Sequence, residues 1–192
     1  MYNASNWTLI ILPDFVRNLN LSIIKTQRYV KTHPHIFFPK YDLSIYMDSN
    51  FIIKGDLDEF LMRILSPKHS IYILEHPERN QIQEEFKMVK ILKKDNKSMI
   101  DEIKERYNHM NFPDNTGLIE SCLMIRKHKE VTCINIMEIW FKEIRKYSHR
   151  DQLSFNYVLW KTNKNIKYLS KKFCSEYLFG NHNHLKRVTF NI

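Results

Sequence analysis

Short apolar runs alternate with amphipathic stretches along this chain of 192 residues, and that alternation constrains the fold more than any other feature. Apolar runs bounded by turn residues predict strands, and apolar residues that recur every three or four positions predict helices. The predicted strands are 7–12, 43–47, 51–53, 70–74, 118–125 and 166–169. The predicted helices are 17–32, 57–65, 81–93, 99–107, 130–147 and one that opens at 150–152. Strands alternating with helices indicate an α/β protein with a mixed sheet.

One predicted strand ends directly in a polar cluster. Residues 43–47 are apolar, and Asp48, Ser49 and Asn50 follow at once. On an extended backbone Asp48 and Asn50 point to the same side, where they can offer two hard oxygens to one divalent cation. Asp and Asn are also ordinary turn residues, so a turn without a metal explains the cluster equally well.

Acidic residues stand at two predicted helix starts. Gly55 allows a tight turn, after which Asp56, Asp58 or both can cap the next helix. Asp151 opens the helix at 150–152, where capping again explains the residue as well as chemistry does. The segment 33–39 contains two prolines and is predicted to be extended or irregular.

The charge of the chain favours anionic ligands. Thirty Lys and Arg residues against 21 Asp and Glu residues give a formal net charge of +9. Such a balance is typical of proteins that meet polyanions, phosphorylated ligands or an anionic membrane surface. The excess is spread over predicted helix faces, where a solvated lysine is the ordinary case. Nucleic-acid binding therefore rests on charge alone, and no nucleic acid is expected as a partner.

Composition excludes several classes of protein. Three glycines cannot build a P-loop or a dinucleotide fingerprint, and three widely spaced cysteines suggest neither a disulfide framework nor a zinc motif. No stretch approaches the roughly 20 apolar residues of a membrane span. The first residues lack the basic region and cleavage site of a signal peptide. A soluble, cytoplasmic protein is expected.

Two groups of histidines are candidates for a site. His76 and Arg79 follow a predicted strand end, where open α/β sheets bind ligands, although an Arg79–Glu84 surface pair is an equally simple explanation. In the tail, His182 and His184 are candidate metal ligands, but their spacing is too short for helical zinc patterns.

Four blocks in the same order carry a family resemblance. They are HPHIFFPKYDLSIYMDSNFIIKGDLDEF, HPERNQIQEE, FPDNTGLIESCLMIRKH and SHRDQLSFNYVLWK. Together they resemble the hexosyltransferase-like family of plant mucilage- and pectin-related proteins and of bacterial and viral polysaccharide loci. More distantly, the chain is similar to GT-A glycosyltransferases of the glycogenin and lipopolysaccharide galactosyltransferase group.

The resemblance implies a single GT-A-like glycosyltransferase domain over residues 1–192, with a mixed, mainly parallel sheet flanked by helices. It implies transfer of a sugar from a UDP- or GDP-sugar donor to a glycan or other acceptor. An oligomer or a larger glycosyltransferase assembly is compatible with it. A divalent metal, Mn²⁺ or Mg²⁺, would lie against the donor diphosphate. Asp48 to Asn50 occupy the place of the family's DxD-type motif, with Asn for the second Asp. That exchange keeps an oxygen ligand and removes one negative charge.

The remaining predicted site residues come from the resemblance, except Arg28, which lies on a predicted helix, and His76 and Arg79, which follow a predicted strand end. Asp151 is the predicted catalytic residue, and His182 would complete the metal site. The predicted donor-binding residues are Arg28, Ser49, Asn115, Gly117 and Gln152, and the predicted acceptor- or sugar-binding residues are His76 and Arg79. The part of the family domain that holds the nucleotide base would be shortened here. The alternative is therefore a non-catalytic relative that binds carbohydrate or a partner and has lost the base-binding half.

Overall fold

Nine helices and six strands lie in the part of the chain that the computed structural model describes, residue 8 and residues 10–180. For Phe179 and Gly180 only the backbone is described. The helices are α1 (Asp14–Arg17), α2 (Ile23–Thr32), α3 (Pro34–Phe37), α4 (Leu57–Ile64), α5 (Ile82–Ile91), α6 (Lys97–His109), α7 (Val131–Lys146), α8 (Gln152–Thr162) and α9 (Lys171–Cys174). The strands are β1 (Ser44–Met47), β2 (Phe51–Ile53), β3 (Ile71–Glu75), β4 (Ile119–Arg126), β5 (Lys167–Leu169) and β6 (Leu178–Gly180).

The main sheet has four strands in the order β1–β4–β3–β5. Strand β4 is antiparallel to both β1 and β3, and only β3 and β5 are a parallel pair. The α/β class is confirmed, but the prediction of a mainly parallel sheet is wrong. The reason is the helical pair α5–α6, which follows β3. After these two helices the chain comes back to the carboxyl end of β3. There the His76 N–H donates to the Leu118 carbonyl at 2.9 Å, so β4 must run back along β3.

Strands β1, β3 and β5 nevertheless point the same way, because β4 reverses the direction between β1 and β3. Their carboxyl ends therefore meet at one edge of the sheet. Strand β3 is buried on both faces: Ile71 and Ile73 pack into one core cluster, and Tyr72 and Leu74 into another. Such a strand is a continuous apolar run without alternation, as the sequence shows.

The two core clusters lie on opposite faces of the sheet. The larger one is built around Trp140, Tyr107, Tyr157 and Phe86 from helices α5 to α8. The smaller one holds Phe60, which belongs to α4, and Tyr177, which precedes strand β6 of the antiparallel pair β2–β6. None of the helices in the described residues is long and apolar enough to span a bilayer.

Several boundaries differ from the predictions. Residues 8 and 10–12 have no regular structure, so the strand predicted at 7–12 is wrong for its described part. The helix predicted at 17–32 begins only at Ile23, because Arg17 is the last residue of α1 and the break between the two helices includes Asn20, which has a φ of 51°. The segment 33–39 contains the short helix α3, because Pro34 at a helix start costs no hydrogen bond. The short elements α9 and β6 carry too few residues for a periodic pattern and were missed.

The start of α4 supplies a local prediction, because the structure distinguishes its two candidate caps. One Asp56 oxygen accepts from the backbone N–H groups of Asp58 at 2.7 Å and Glu59 at 3.1 Å. Asp56→Ala is expected to lower the free energy of unfolding by about 1 kcal/mol. Asp58→Ala, the matched control, removes no cap and should lower the free energy of unfolding by less than about 0.5 kcal/mol. Equal losses in urea unfolding would contradict the assignment.

Candidate functional site

A polar crevice opens where the carboxyl ends of β1, β3 and β5 meet. Its cavity of about 510 Å³ is lined by residues that follow each of these strands, among them Asp48, His76 and Lys171. A second cavity of about 400 Å³ is lined by Asp48 and Lys171 as well, together with Asn50. The position agrees with the rule that open α/β sheets bind ligands beyond the carboxyl ends of their strands.

The polar cluster after β1 forms a reverse turn. The Asp48 N–H donates to the Cys122 carbonyl at 2.9 Å, and the Phe51 N–H donates to the Asp48 carbonyl at 3.0 Å. The backbone is therefore turned, and the extended conformation predicted for Asp48 to Asn50 is wrong. Asp48 and Asn50 nevertheless both line the second cavity. Ser49 lies at the exposed tip of the turn and lines neither cavity.

Hydrogen bonds from helix α2 orient the Asp48 carboxylate. The Gln27 side chain donates to the Tyr46 hydroxyl at 2.7 Å, and that hydroxyl donates to Asp48 Oδ1 at 2.8 Å. Burial, and then the hydrogen bond to Asp48, raise the pKa of Tyr46. The phenol therefore stays protonated and holds one oxygen of the carboxylate in a fixed direction.

Asp151 lies at the floor of the crevice and is bound to two cations. Its Oδ2 is 2.7 Å from Lys31 Nζ and 3.4 Å from Arg28 Nε, and Lys31 Nζ also donates to Ser121 Oγ at 3.0 Å. Only 3% of the Asp151 side chain and 1% of the Lys31 side chain are exposed. Burial by itself raises the pKa of Asp151, but the charges of Lys31 and Arg28 outweigh it and lower the pKa to about 2.

The same carboxylate caps helix α8. Asp151 Oδ1 accepts from the Gln152 N–H at 3.0 Å, and the Asp151 carbonyl accepts from Trp140 Nε1 at 3.0 Å. The prediction of a helix cap is therefore confirmed, and Asp151 also lines the crevice. A carboxylate with so low a pKa remains ionised at neutral pH. It is suited to holding cations in place and poorly suited to taking up a proton.

His76 and Arg79 line the wall of the crevice formed by the turn after β3. His76 Nδ1 accepts from the backbone N–H groups of Glu78 at 3.2 Å and Arg79 at 3.0 Å. Arg79 is bound to the buried Glu85 at 3.0 Å and not to Glu84, the partner considered from the sequence. Burial, followed by the charge of Arg79, lowers the pKa of His76 to about 4. The imidazole is therefore neutral at pH 7 and fixes the turn.

The thiol at the junction of the two cavities is not a nucleophile. Cys122 lines both cavities, as does Glu120. Burial, and then the negative charges of Glu120 and Asp48, raise the pKa of Cys122 to about 12. Because the thiolate is the reactive form of cysteine, this side chain acts as a small apolar group with a neutral thiol.

The other predicted site residues fall into three groups. Arg28 and Gln152 line the crevice. Asn115 and Gly117 line neither cavity: Asn115 is exposed and accepts from Gln81 at 3.2 Å, and Gly117, with a φ of +79°, lies against Tyr168 and Asn156. His182 lies outside the described residues.

Sequence reasoning missed Lys31, Tyr46 and Glu120. Lys31 was expected to be a solvated lysine on a helix face, and the structure shows it buried against Asp151. A signal existed in the pattern, because Lys31 follows Gln27 and Arg28 by one turn on the same helix. Glu120 interrupts an apolar strand, and its position at the start of β4 brings it to the crevice.

Among the described residues, no group of three or more His, Cys, Asp or Glu side chains could hold a metal ion. Asp48 and Asn50 both line one cavity, and their side chains contain the carboxylate and amide oxygens that Mg²⁺ and Mn²⁺ accept as hard donors. Two such donors suit a cation that takes its other ligands from a phosphorylated ligand and from water.

The low pKa of Asp151 predicts a pH dependence of stability. Its carboxyl has a pKa of about 2 in the folded protein and about 3.9 when unfolded, so the stabilisation is complete above pH 4 and is lost between about pH 4 and 2. The loss should be on the order of 2 kcal/mol. Urea unfolding at several pH values would measure it, with a Lys31→Met/Asp151→Leu double variant as reference. Identical slopes for the two proteins would contradict the prediction.

The protein has a mixed α/β fold, with a crevice of charged side chains beyond the carboxyl ends of three strands. Residues 6–184 match the family described as TOD1/MUCI70, glycosyltransferase-like domain, and the chain belongs to this family. No curated protein and no solved structure gives a significant match to the chain.

Proposed function

We propose that this protein is a metal-dependent glycosyltransferase that moves a sugar from a UDP- or GDP-sugar to a glycan acceptor. The family supports glycosyl transfer in general terms. The single observation that carries the finer proposal is the position of Asp48. It stands at the end of β1, is oriented by Tyr46, and lines both the cation-rich crevice and the cavity that it shares with Asn50.

Asp48 and Asn50 would hold the Mn²⁺ or Mg²⁺ ion. Their oxygens suit such a cation, and the neighbouring Cys122 stays a neutral thiol, so no soft thiolate competes for it. When bound, the ion supplies positive charge against the diphosphate of the donor and of the departing nucleotide. The amide at position 50 leaves the pair with one negative charge, which favours binding of metal and donor together over binding of metal alone.

The cations of the crevice would act on the same diphosphate. Lys94, Arg150 and Lys171 line it, and none of the three forms an ion pair with a described carboxylate. Positive groups already in place stabilise negative charge that develops on a leaving group without any reorganisation of solvent. The excess positive charge of the chain thereby has a specific role at this edge of the sheet.

Asp151 would position these groups and would not transfer a proton. It holds Lys31 and Arg28 at the floor of the crevice, and it caps the helix that carries Gln152 to the cavity wall. Arg79, held by Glu85, would contact the sugar or the acceptor from the opposite wall.

Calorimetry and turnover together test the proposal. We expect one donor of a panel of UDP- and GDP-sugars to bind in the presence of Mn²⁺, and EDTA to abolish its binding. Release of the nucleoside diphosphate in the presence of glycan acceptors would then establish transfer. Binding of glycan without turnover of any donor would favour the non-catalytic alternative. Absence of binding for every donor, with and without metal, would contradict the proposal.

A further inference from the structure

Strand β1 has a free outer edge beside an apolar groove. Within the described residues β1 pairs with β4 only, and the backbone groups of its other edge make no backbone hydrogen bond. The groove has a volume of about 620 Å³ and runs between this edge and helices α2 and α3. Its walls are mostly apolar and include Leu21, Val30, Phe38 and Ile45.

A buried arginine stands at one end of the groove. Arg126 is only 2% exposed and lies opposite Ser44 in the register of β1 and β4. Its Nη1 donates to the Lys31 carbonyl and lies 4.0 Å from Met137 Sδ. Its Nε has no hydrogen-bond partner, and neither has the buried Oγ of Ser44.

No carboxylate of the described residues balances this charge. Glu138, on the same side of the sheet, is bound to His33 at 3.2 Å and to His35 at 3.6 Å. Burial lowers the pKa of Arg126 to about 10, so the guanidinium is still charged at neutral pH. A buried charge without a counterion costs several kcal/mol, and a carboxylate placed here would accept hydrogen bonds from both Arg126 Nε and Ser44 Oγ.

The form of the ligand follows from the edge of β1. An acyl chain in the groove would leave the backbone N–H and C=O groups of this edge against hydrocarbon, which is unfavourable. An extended peptide would pair with them, as in recognition by strand addition, and would place alternate side chains in the groove. The residues of this chain outside the described part contain no Asp or Glu, so they cannot supply the side-chain carboxylate.

We propose that the outer edge of β1 binds an extended, mainly apolar segment of a partner protein, which adds a fifth strand to the sheet. One Asp or Glu side chain of that segment binds Arg126 and Ser44. Affinity comes from the backbone pairing and the apolar groove, and specificity comes from the buried guanidinium. This site is separate from Asp48 and Asn50, so its test does not depend on donor binding.

Fluorescence polarisation with defined peptides tests the proposal on the unmodified protein. The probes are labelled heptapeptides of alternating valine and threonine with one glutamate, moved through all seven positions, and the same set with glutamine. At the matching position we expect the glutamate peptide to bind at least about tenfold more tightly than its glutamine counterpart. N-methylation of alternate backbone nitrogens should abolish binding, because it removes the donors that pair with β1.

Two variants locate the site. Arg126→Met should remove the preference for glutamate. It replaces an unpaired buried charge by an apolar side chain, but it also removes the donor to the Lys31 carbonyl, so urea unfolding of the variant is measured beside its binding to show that it is folded. Lys40→Met, the matched control, removes an exposed cation two positions after Phe38, which lines the groove, and should leave the preference intact. Asp48→Ala should not change peptide binding.

Three outcomes would overturn the proposal. The first is that none of the peptides binds. The second is that the preference for glutamate survives in Arg126→Met, and the third is that an N-methylated peptide binds as well as its parent. Binding of decanoate in the absence of any peptide binding would make the groove a site for anionic amphiphiles.

Discussion

Replacement of Asp48 by alanine is expected to lower the affinity for a nucleotide-sugar in the presence of Mn²⁺ by at least about 100-fold. Loss of groups that merely support a metal ligand typically costs 10- to 100-fold in metal affinity or activity, and Asp48 is proposed as a ligand itself. It is also the only carboxylate of the proposed pair, since Asn50 is neutral. The measurement is calorimetric titration of the donor at fixed Mn²⁺.

Neighbouring variants show whether the loss belongs to the metal site. Ser49→Ala changes the next residue, whose side chain lines neither cavity, and should bind the donor as the parent does. Tyr46→Phe removes the hydroxyl that holds Asp48 Oδ1 and should weaken binding by about 10-fold. Equal losses for Asp48→Ala and Ser49→Ala would indicate damage to the turn and would contradict a specific role for Asp48.

Replacement of Asp151 by alanine is expected to lower the free energy of unfolding by about 3–5 kcal/mol. Removal of one member of a buried ion pair leaves the other charge buried without a counterion. Here that charge is Lys31, 1% exposed and 2.7 Å from the carboxylate. The variant also loses the cap of α8. Unfolding in urea at pH 7 measures the change.

The double variant Lys31→Met/Asp151→Leu separates the two causes of this loss. The buried charge of Lys31 is removed together with its partner, and Arg28, which is 16% exposed, still donates to the His149 carbonyl. Stability should therefore return to within about 1–2 kcal/mol of the parent, with the missing cap as the main residual. Asp14→Ala removes a carboxylate that is 89% exposed in its ion pair and should change stability by less than about 0.5 kcal/mol. A double variant as unstable as Asp151→Ala would show that the ion pair is not the reason.

The long elements could be predicted from the sequence because their pattern repeats several times. Helix α7 was predicted at 130–147 and spans Val131–Lys146, and strand β4 was predicted at 118–125 and spans Ile119–Arg126. The placement of Asp48 and Asn50 at the end of β1 was also predictable, since a polar cluster cannot remain inside a buried strand. Capping chemistry located the starts of α4 and α8 to within one residue.

The direction of β4 and the burial of Lys31 could not be predicted in the same way. Both depend on contacts between distant parts of the chain: β4 on the hairpin of α5 and α6, and Lys31 on an aspartate 120 positions away. An isolated lysine on a helix is usually solvated. Only the tertiary structure brings up the Asp151 carboxylate, which offsets the cost of burying the Lys31 charge. The free edge of β1 and the unpaired Arg126 are likewise properties of the assembled sheet.

The most direct test of the proposed function is the position of Mn²⁺ in crystals soaked with the metal and a panel of nucleotide-sugars. Anomalous scattering locates the ion independently of the protein density. The proposed function predicts one Mn²⁺ between Asp48, Asn50 and the diphosphate of a bound donor. A donor bound in the crevice with no metal beside these two side chains, or with the metal held elsewhere, would contradict it.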